Sequence, residues 1–571
     1  MRVLLLSTYE LGAQPLGCAV PAALLEQAGH EVRSVDLSLE PLRDEDVAWA
    51  AAACVSVPMH TALRLAVPVL ERLRAAGMPV ALHGLYAPVG ASAGLLGAGD
   101  LAVAGESGDS LLAWLDGLAG PDGSERIAVL GETTGLDGLG TSPARPGPAV
   151  RVALGRARPS RLVPSRRGLP GLERYARLVG GPAGDGERLV GTVEATRGCS
   201  HRCRHCPVPV IYDGRTRAVE VGALLEDVDG LVALGAGHLH FADPDFLNRP
   251  THALSVVRAV HARHPELSYD VTAKVSHVLR HRTALRELAA TGCAFVVSAV
   301  ESLSPVVLER LDKGHDAAGA AEAIGLLRAA GIEPRPSLLP FTPWTTPGDL
   351  VELLDFVARH DLVWNVDPVQ WGIRLLLPPG SLLLAEPDEV LAAAVRRAAA
   401  DRGELIEALG VSWAHADPLL DELQLEIAAL VELADAAGEE PPETFGAVRR
   451  LVLERVGLPG GGFPGGVTPV GGTPTGPRPE LVAASGLAGA QRPRLTESWF
   501  CCAEPSSAQL ALASTGGAAT TVSRCPTPSS RPPADGGRAA TTAGADRAAP
   551  GAEREAARPA AGACPWTRGS G

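Results

Sequence analysis

The chain has 571 residues, 46% of them apolar, which allows three or four domains at roughly 150 residues each and at least one large core. Lys plus Arg number 51 and Asp plus Glu 65, a formal net charge of −14 that gives no overall attraction to nucleic acid or anionic membrane. No run of about 18 apolar residues is present, and the opening Met1-Arg-Val-Leu-Leu-Leu-Ser-Thr is too short for a secretory signal, so a cytoplasmic protein with no membrane and no nucleic-acid partner is expected.

Residues 1–120 alternate strand and helix signals. Val3–Leu6, Glu31–Val35, Ala52–Val57, Pro79–Gly84 and Leu101–Gly105 read as short buried strands, with helices over Val20–Ala28, Ala62–Ala76 and Asp109–Leu118 between and after them. That alternation predicts a doubly wound parallel sheet. Residues 121–185 are rich in Gly, Pro and Arg and read as a linker. A second βα series fills 186–380. Its strand candidates are Val190–Ala195, His238–Ala242, Tyr269–Ala273, Ala294–Ala299, Glu333–Leu339 and Trp364–Val369, and its helices include Val221–Leu234, Ala253–Arg263, Thr283–Ala290 and Ala317–Ala330. Six such units predict a full or partial parallel barrel. Residues 381–456 are helical by pattern. From 457 to 571 the chain is rich in Gly, Pro, Thr, Ser and Ala and predicts a disordered tail. One island interrupts it, Glu497-Ser-Trp-Phe-Cys501-Cys502-Ala503-Glu504-Pro505.

The densest chemical signal is Glu194-Ala-Thr-Arg-Gly-Cys199-Ser-His-Arg-Cys203-Arg-His205-Cys206, directly after a predicted strand. The C-x3-C-x2-C spacing is neither the four-Cys ferredoxin run nor a four-ligand zinc spacing. Three thiolates can hold three irons of a 4Fe–4S cluster and leave the fourth open to chelate the amino and carboxylate groups of S-adenosylmethionine. A structural zinc borrowing a His is the alternative. Vicinal Cys501 and Cys502 bind soft electrophiles such as trivalent arsenic, or exchange as a redox pair; a casual Cys pair is the alternative. Cys18, Cys54 and Cys293 read as buried small residues. Lysine occurs only at Lys274 and Lys313. A lysine retained where arginine fills every other basic position supplies a compact point charge, unless it is there by chance.

The cysteine motif and its strand context resemble the radical SAM superfamily. The resemblance implies a 4Fe–4S cluster on Cys199, Cys203 and Cys206, S-adenosylmethionine (SAM) as the second cofactor, a small-molecule substrate and an external flavodoxin- or ferredoxin-like electron donor. His205 stands where that family usually has an aromatic residue, over the adenine. His238-Leu-His-Phe241-Ala-Asp243-Pro-Asp245-Phe246 resembles the second-strand end of cobalamin-type members, which implies that Asp243 lies near the SAM amino group; a turn or cap is the alternative for both aspartates. Val300-Glu301-Ser302 resembles the fourth-strand G-x-E-S, which implies that Glu301 accepts from the ribose hydroxyls. Lys274 falls near the same face. Lys313-Gly314 resembles the family's K-G, but also suits a helix C-terminal charge with Gly314 just beyond the cap, the reading preferred here. Residues 1–120 resemble the cobalamin-binding domain that precedes many such barrels. No D-x-H-x-x-G occurs, so cobalamin would bind without a lower-axial His, or the domain is scaffold alone. The pentapeptide Cys501–Pro505 resembles that of the CUAEP/CCAEP-tail radical SAM proteins, which implies a soft substrate handled by Cys501 and Cys502 brought to the barrel mouth by a flexible tail. Two other functions stay open: a cobalamin-dependent radical SAM methyltransferase, and a non-catalytic Fe–S or metalloid sensor.

Overall fold

The computed structural model describes residues 1–119, 151–155, 161–181, 186–378, 380–402, 406–407, 409–458, 489–497 and 502–514. The N-terminal strands are β1 (Arg2–Ser7), β2 (Glu31–Asp36), β3 (Ala52–Ser56), β4 (Val80–His83), β5 (Leu101–Gly105) and β6 (Arg151–Gly155). They form one parallel sheet in the order β2-β1-β3-β4-β5-β6. Such a sheet is covered on both faces, which is why its strands read as unbroken apolar runs. Leu4, Leu6, Val55 and Leu82 pack on one side, while Val3, Leu5, Cys54, Val103 and the fully buried Trp114 pack on the other. Strand β6 lies in the expected linker. Its five residues sit among Gly and Pro and show no periodicity of their own; pairing along β5 makes them a strand.

The second sheet contains β7 (Arg177–Val179), β8 (Arg188–Val193), β11 (Ala236–Phe241), β12 (Ser268–Thr272), β13 (Cys293–Glu301) and β14 (Glu333–Leu338), with the small hairpin β9 (Thr196–Gly198) and β10 (Thr216–Ala218) after β8. Its order is β14-β13-β12-β11-β8-β7-β17, where β17 is Arg494–Leu495 from the tail; β7 runs antiparallel to both its neighbours, β8 and β17, and the other pairs are parallel. A further pair, β15 (Ile406–Glu407) and β16 (Gly410–Val411), lies among the C-terminal helices.

The sixth barrel strand expected at Trp364–Val369 is absent: Val363–Asn365 and Pro368–Gly372 are single 3-10 turns. Pro368 cannot donate to a ladder. Asn365, fully buried, spends its amide on the Glu333 carboxylate (2.7 Å) and the Pro334 carbonyl (2.8 Å), capping the sheet end. The curled sheet is therefore a half-barrel. Leu239, Phe241, Tyr269, Val271, Val296 and Val300 face its outer helices. Leu178, Val190, Phe295 and the tail's Leu495 close its floor. Among the described residues no helix is long and apolar enough to cross a membrane.

The tail is not wholly a disordered appendage. β17 extends the barrel sheet, and helix Ser507–Ser514 packs on helix His60–Ala75. Between them Thr61 donates to the Ala503 carbonyl (2.8 Å), and Glu504 meets His60 (2.9 Å) and Arg64 (3.1 Å). Arg166 also joins the two sheets: buried, it bridges Gln14 (3.0 Å), the Thr192 carbonyl (2.7 Å) and Asp227 (2.9 Å).

Strand order reverses between β1 and β3, the point where doubly wound sheets hold ligands. The half-buried Glu10 stands there. It accepts from Gly17 N–H at the start of helix Leu16–Gln27 (3.0 Å) and from Ser56 (3.2 Å). Burial pushes its carboxyl up to about 7. Its folded value lies above the unfolded one, so it removes stability as pH rises from about 4.5 to 7. Glu10→Gln keeps an oxygen for both donors. It is expected to raise unfolding free energy by about 3 kcal/mol at about pH 8 and by almost nothing near pH 4, read by urea denaturation at the two pH values.

Candidate functional site

The cysteine loop begins where β8 ends, and the chain fixes that exit tightly. Asp243, just past β11, is fully engaged by Ala195 N–H (2.8 Å), Thr196 N–H (2.6 Å) and Thr196 Oγ1 (2.5 Å). Burial pushes its carboxyl up to about 7. Asp243 therefore works as an anchor for the loop, the turn alternative raised by the sequence. Gly198 follows at φ +77°, where a Cβ would lie 2.3 Å from the Arg215 carbonyl, so only glycine leads into Cys199. Asn248 then accepts from Ser200 N–H (3.0 Å) and Ser200 Oγ (2.6 Å), with Cys199 Sγ at 3.7 Å. A turn closed by Cys206 N–H to the Cys203 carbonyl (3.2 Å) carries the other two thiols, and helix Val208–Tyr212 begins beyond it.

The three cysteines are unbridged; Cys203 is buried and the other two are half-buried. Burial pushes the Cys206 thiol up to about 12 and raises that of Cys199. Three sulfurs on one loop, with Cys199 and Cys206 made more basic by burial, suit an iron cluster that binds them as thiolates and releases their protons. The donor set fits a 4Fe–4S cluster.

Lys313 supplies the local cation. The segment Pro305–Arg310 ends in a Schellman turn: Lys313 N–H reaches the Leu308 carbonyl (3.0 Å), Asp312 N–H reaches Glu309 (3.0 Å), and Asp312 takes the left-handed φ of +54°. Asp312, not Gly314, is the residue past the cap, and Lys313 turns inward instead of standing as a helix-end charge. It is 3% exposed and pairs with Glu301 Oε1 at 3.0 Å. His205 Nε2 stands 3.7 Å from the same oxygen. Burial alone would raise the Glu301 carboxyl, but Lys313 and His205 hold it well below the usual carboxylate range. The Glu301 carboxylate beside it outweighs burial and keeps Lys313 protonated. Glu301 sits after a register shift in β13 with φ +62°, strained for a non-glycine residue, and that bend helps aim the carboxylate at the cysteine loop.

Cys203, Cys206, His205, Glu301 and Lys313 thus form one group. Lys274 lies at the start of helix Val275–Arg280, where its backbone N–H donates to Asp245 (3.2 Å). Cys502 is half-buried and packs on the apolar group containing Leu311, Leu339, Trp344 and Ile373. Cys501 lies outside the described residues, as do Cys525 and Cys564. Cys18, Cys54 and Cys293 are buried as expected.

The half-barrel interior holds a network not singled out from the sequence. Asp270 on β12 bonds His238 Nε2 (3.0 Å) and His240 Nδ1 (2.8 Å) on β11, and His238 Nδ1 meets Ser268 (2.8 Å). Burial keeps His238 neutral, whereas the Asp270 charge outweighs burial and raises His240. The two histidines hold Asp270 down at about 2 against its own burial. The signal was present: polar residues at alternate positions, 238/240 and 268/270, in strands otherwise apolar.

Comparison with known proteins agrees with this geometry. Residues 193–357 match the radical SAM superfamily. An uncharacterized methyltransferase of Pyrococcus horikoshii is 21% identical over 173 residues, 30% of this chain and 37% of that protein, so the match spans little more than a third of the relative's length. Among solved structures, the cobalamin-dependent S-adenosylmethionine radical enzyme OxsB, with aqua-cobalamin and S-adenosylmethionine bound, superposes with a TM-score of 0.55 at 15% identity, over 76% of this chain and 66% of the other. TsrM, a radical S-adenosylmethionine methyltransferase from Kitasatospora setae, gives a TM-score of 0.47 at 21% identity over 62% and 70% of the two chains. The OxsB overlap reaches beyond the barrel into the N-terminal sheet and shows the two-domain fold. With the matched segment, the cysteine loop and the half-barrel in agreement, residues 193–357 form a radical SAM superfamily domain, behind an N-terminal parallel sheet whose fold matches that of OxsB.

Proposed function

We propose that this chain cleaves S-adenosylmethionine reductively on a 4Fe–4S cluster held by Cys199, Cys203 and Cys206, and turns the resulting carbon radical on a small substrate. The observation that carries the reading is the convergence of three sheltered thiols on one loop with the Lys313–Glu301–His205 group. The cluster, when bound, supplies the electron and an open iron for the amino acid part of SAM. The chain's residues do the rest. Asp243, Gly198 and Asn248 fix the loop; Lys313 offsets thiolate charge; Glu301, ionised at any working pH, offers an acceptor for the ribose hydroxyls; and His205 lies beside it for the adenine. An electron donor of flavodoxin or ferredoxin type is the matching partner.

The finer reading follows the tail. Cys502 is carried on a segment clamped by Thr61, His60 and Arg64, and it packs on the apolar group that includes Leu311, two residues before Lys313. A thiol docked on that apolar group suits a soft metalloid or thiol-reactive substrate shared with Cys501, as in the CUAEP/CCAEP-tail proteins that the pentapeptide resembles.

The two-domain fold favours a second reading, a cobalamin-dependent methyltransferase. Among the described residues, the polar groups at the switch point are already bonded within the chain. Glu10 is bonded to Gly17 and Ser56, His60 to Glu504, and a Cβ on Gly12 would lie 2.6 Å from the tail's Glu497. Corrin uptake would require the tail to leave.

Anaerobic reconstitution with iron and sulfide, then dithionite and SAM, separates these readings by mass spectrometry. Formation of 5′-deoxyadenosine, with a product that changes on adding arsenite and is lost in Cys501→Ala/Cys502→Ala, is the expected result. Methylated product and bound corrinoid would favour the second reading. A cluster that binds SAM but never cleaves it would overturn both.

A further inference from the structure

Asp245, two residues past the loop anchor Asp243, faces two imidazoles from different segments. His277 Nδ1, on helix Val275–Arg280, lies 3.0 Å from Asp245 Oδ2. His201 Nε2, between Cys199 and Cys203, lies 3.5 Å from the same oxygen and has no hydrogen-bond partner although it is buried. The two rings stand 4.4 Å apart between centroids. One donor atom from each of the three residues falls within a 4.8 Å set. We propose that His201, Asp245 and His277 form a three-ligand site for a borderline divalent cation such as Zn²⁺, Co²⁺ or Fe²⁺, separate from the cluster ligands.

The geometry carries the proposal. Metal–ligand bonds of about 2.0–2.2 Å in a tetrahedron place ligand atoms about 3.3 Å apart. The two contacts to Asp245, 3.0 and 3.5 Å, bracket that edge. Two imidazoles and one carboxylate are the ligand type that borderline first-row cations favour, and three protein ligands leave a position open for water or an oxygen- or sulfur-bearing ligand. The carboxylate is oriented as metal-binding carboxylates are: Leu247 N–H donates to Oδ1 (3.0 Å) and Lys274 N–H to Oδ2 (3.2 Å). Asp245 and His277 side chains are 3% and 6% exposed, while His201 at 20% gives an entry path. A simple hydrogen-bonded cluster explains the Asp245–His277 contact but leaves His201 Nε2 without a role.

The test uses the full chain with its cluster reconstituted, desalted and titrated anaerobically with Co²⁺. One cobalt per chain, with the visible ligand-field bands of a low-coordinate nitrogen and oxygen site, is expected. His277→Ala should lower cobalt affinity by at least about tenfold, while iron, sulfide and cluster absorbance match the parent chain. Should that variant fail to fold, His277→Gln keeps an amide N–H for the Asp245 carboxylate and must show the same loss. No cobalt retained by the parent chain, or equal retention by a folded variant, overturns the site. Because the readout is metal content and spectrum, cobalt uptake in a chain that cleaves no SAM upholds this site while sinking the reading above, and SAM cleavage without cobalt uptake does the reverse.

Discussion

Lys313→Met is expected to cost about 3–5 kcal/mol of folding stability, the penalty for leaving one member of a buried ion pair behind. Glu301 would remain in the interior with only His205 at 3.7 Å. The double variant Lys313→Met/Glu301→Gln removes both charges and is expected to recover most of the loss. Chemical denaturation of the apo chains measures this without any cluster present. The pH dependence carries a sign. Glu301 is depressed in the folded chain, so its contribution is present above the unfolded value of about 4.5 and fades as pH falls. The gap between parent and Lys313→Met should therefore narrow below about pH 4.5. SAM cleavage should stay low in the double variant even where stability returns, because the ribose acceptor and the cation beside Cys203 and Cys206 are both gone.

Cys203→Ala is expected to yield a folded chain that holds no intact cluster and cleaves SAM at least about 100-fold more slowly, a loss as large as outer-shell changes at metal sites produce. Cys203 is buried in a turn fixed by other residues, so the change removes a ligand without removing the loop's supports. Asn248→Ala is the graded comparison. It leaves all three thiols but frees Ser200 and the neighbourhood of Cys199, and a loss of about 10–100-fold is expected. Iron and sulfide analysis beside 5′-deoxyadenosine yield distinguishes the two. Equal cluster content and equal cleavage in Cys203→Ala and the parent chain would remove the cysteine loop from the mechanism.

Much of the scaffold was legible because parallel strands buried on both faces announce themselves. Leu101–Gly105 was bounded to the residue, and helices Val221–Ala233 and Ala317–Ala329 to within one. What failed was short or polar. Strand β6 had no pattern apart from its neighbour. The segment Trp364–Val369 looked like a strand by its apolar residues, yet an inward amide at Asn365 and a proline at 368 decided otherwise. In the candidate site, the cysteine spacing and the places of Glu301 and His205 relative to strand ends were legible in the sequence, and the fold brings Cys203, Cys206, His205 and Glu301 together. Lys313 was misjudged because a lysine before a glycine suits a helix end; the left-handed Asp312 one position earlier turns it inward, and no propensity shows that. Asp243 was weighed as a SAM contact and stands as a brace, since backbone N–H groups compete for a buried carboxylate as strongly as any ligand. His201 and His277 lie 76 positions apart in the chain, and only the fold makes them neighbours.

The tail strand β17 has a consequence for how the molecule is made. Its partner β7 lies 315 positions earlier, and Ala503 meets Thr61 across 442. On a ribosome the N-terminal sheet and the half-barrel emerge long before either contact can form. Until then β7 presents an open edge and helix His60–Ala75 an uncovered face, the features that invite a neighbouring chain to pair. Arg177 on β7 and Arg494 on β17 place charge on both edges. Assembly of this protein is thus a closing operation, in which a late segment of the chain seals surfaces prepared by earlier ones.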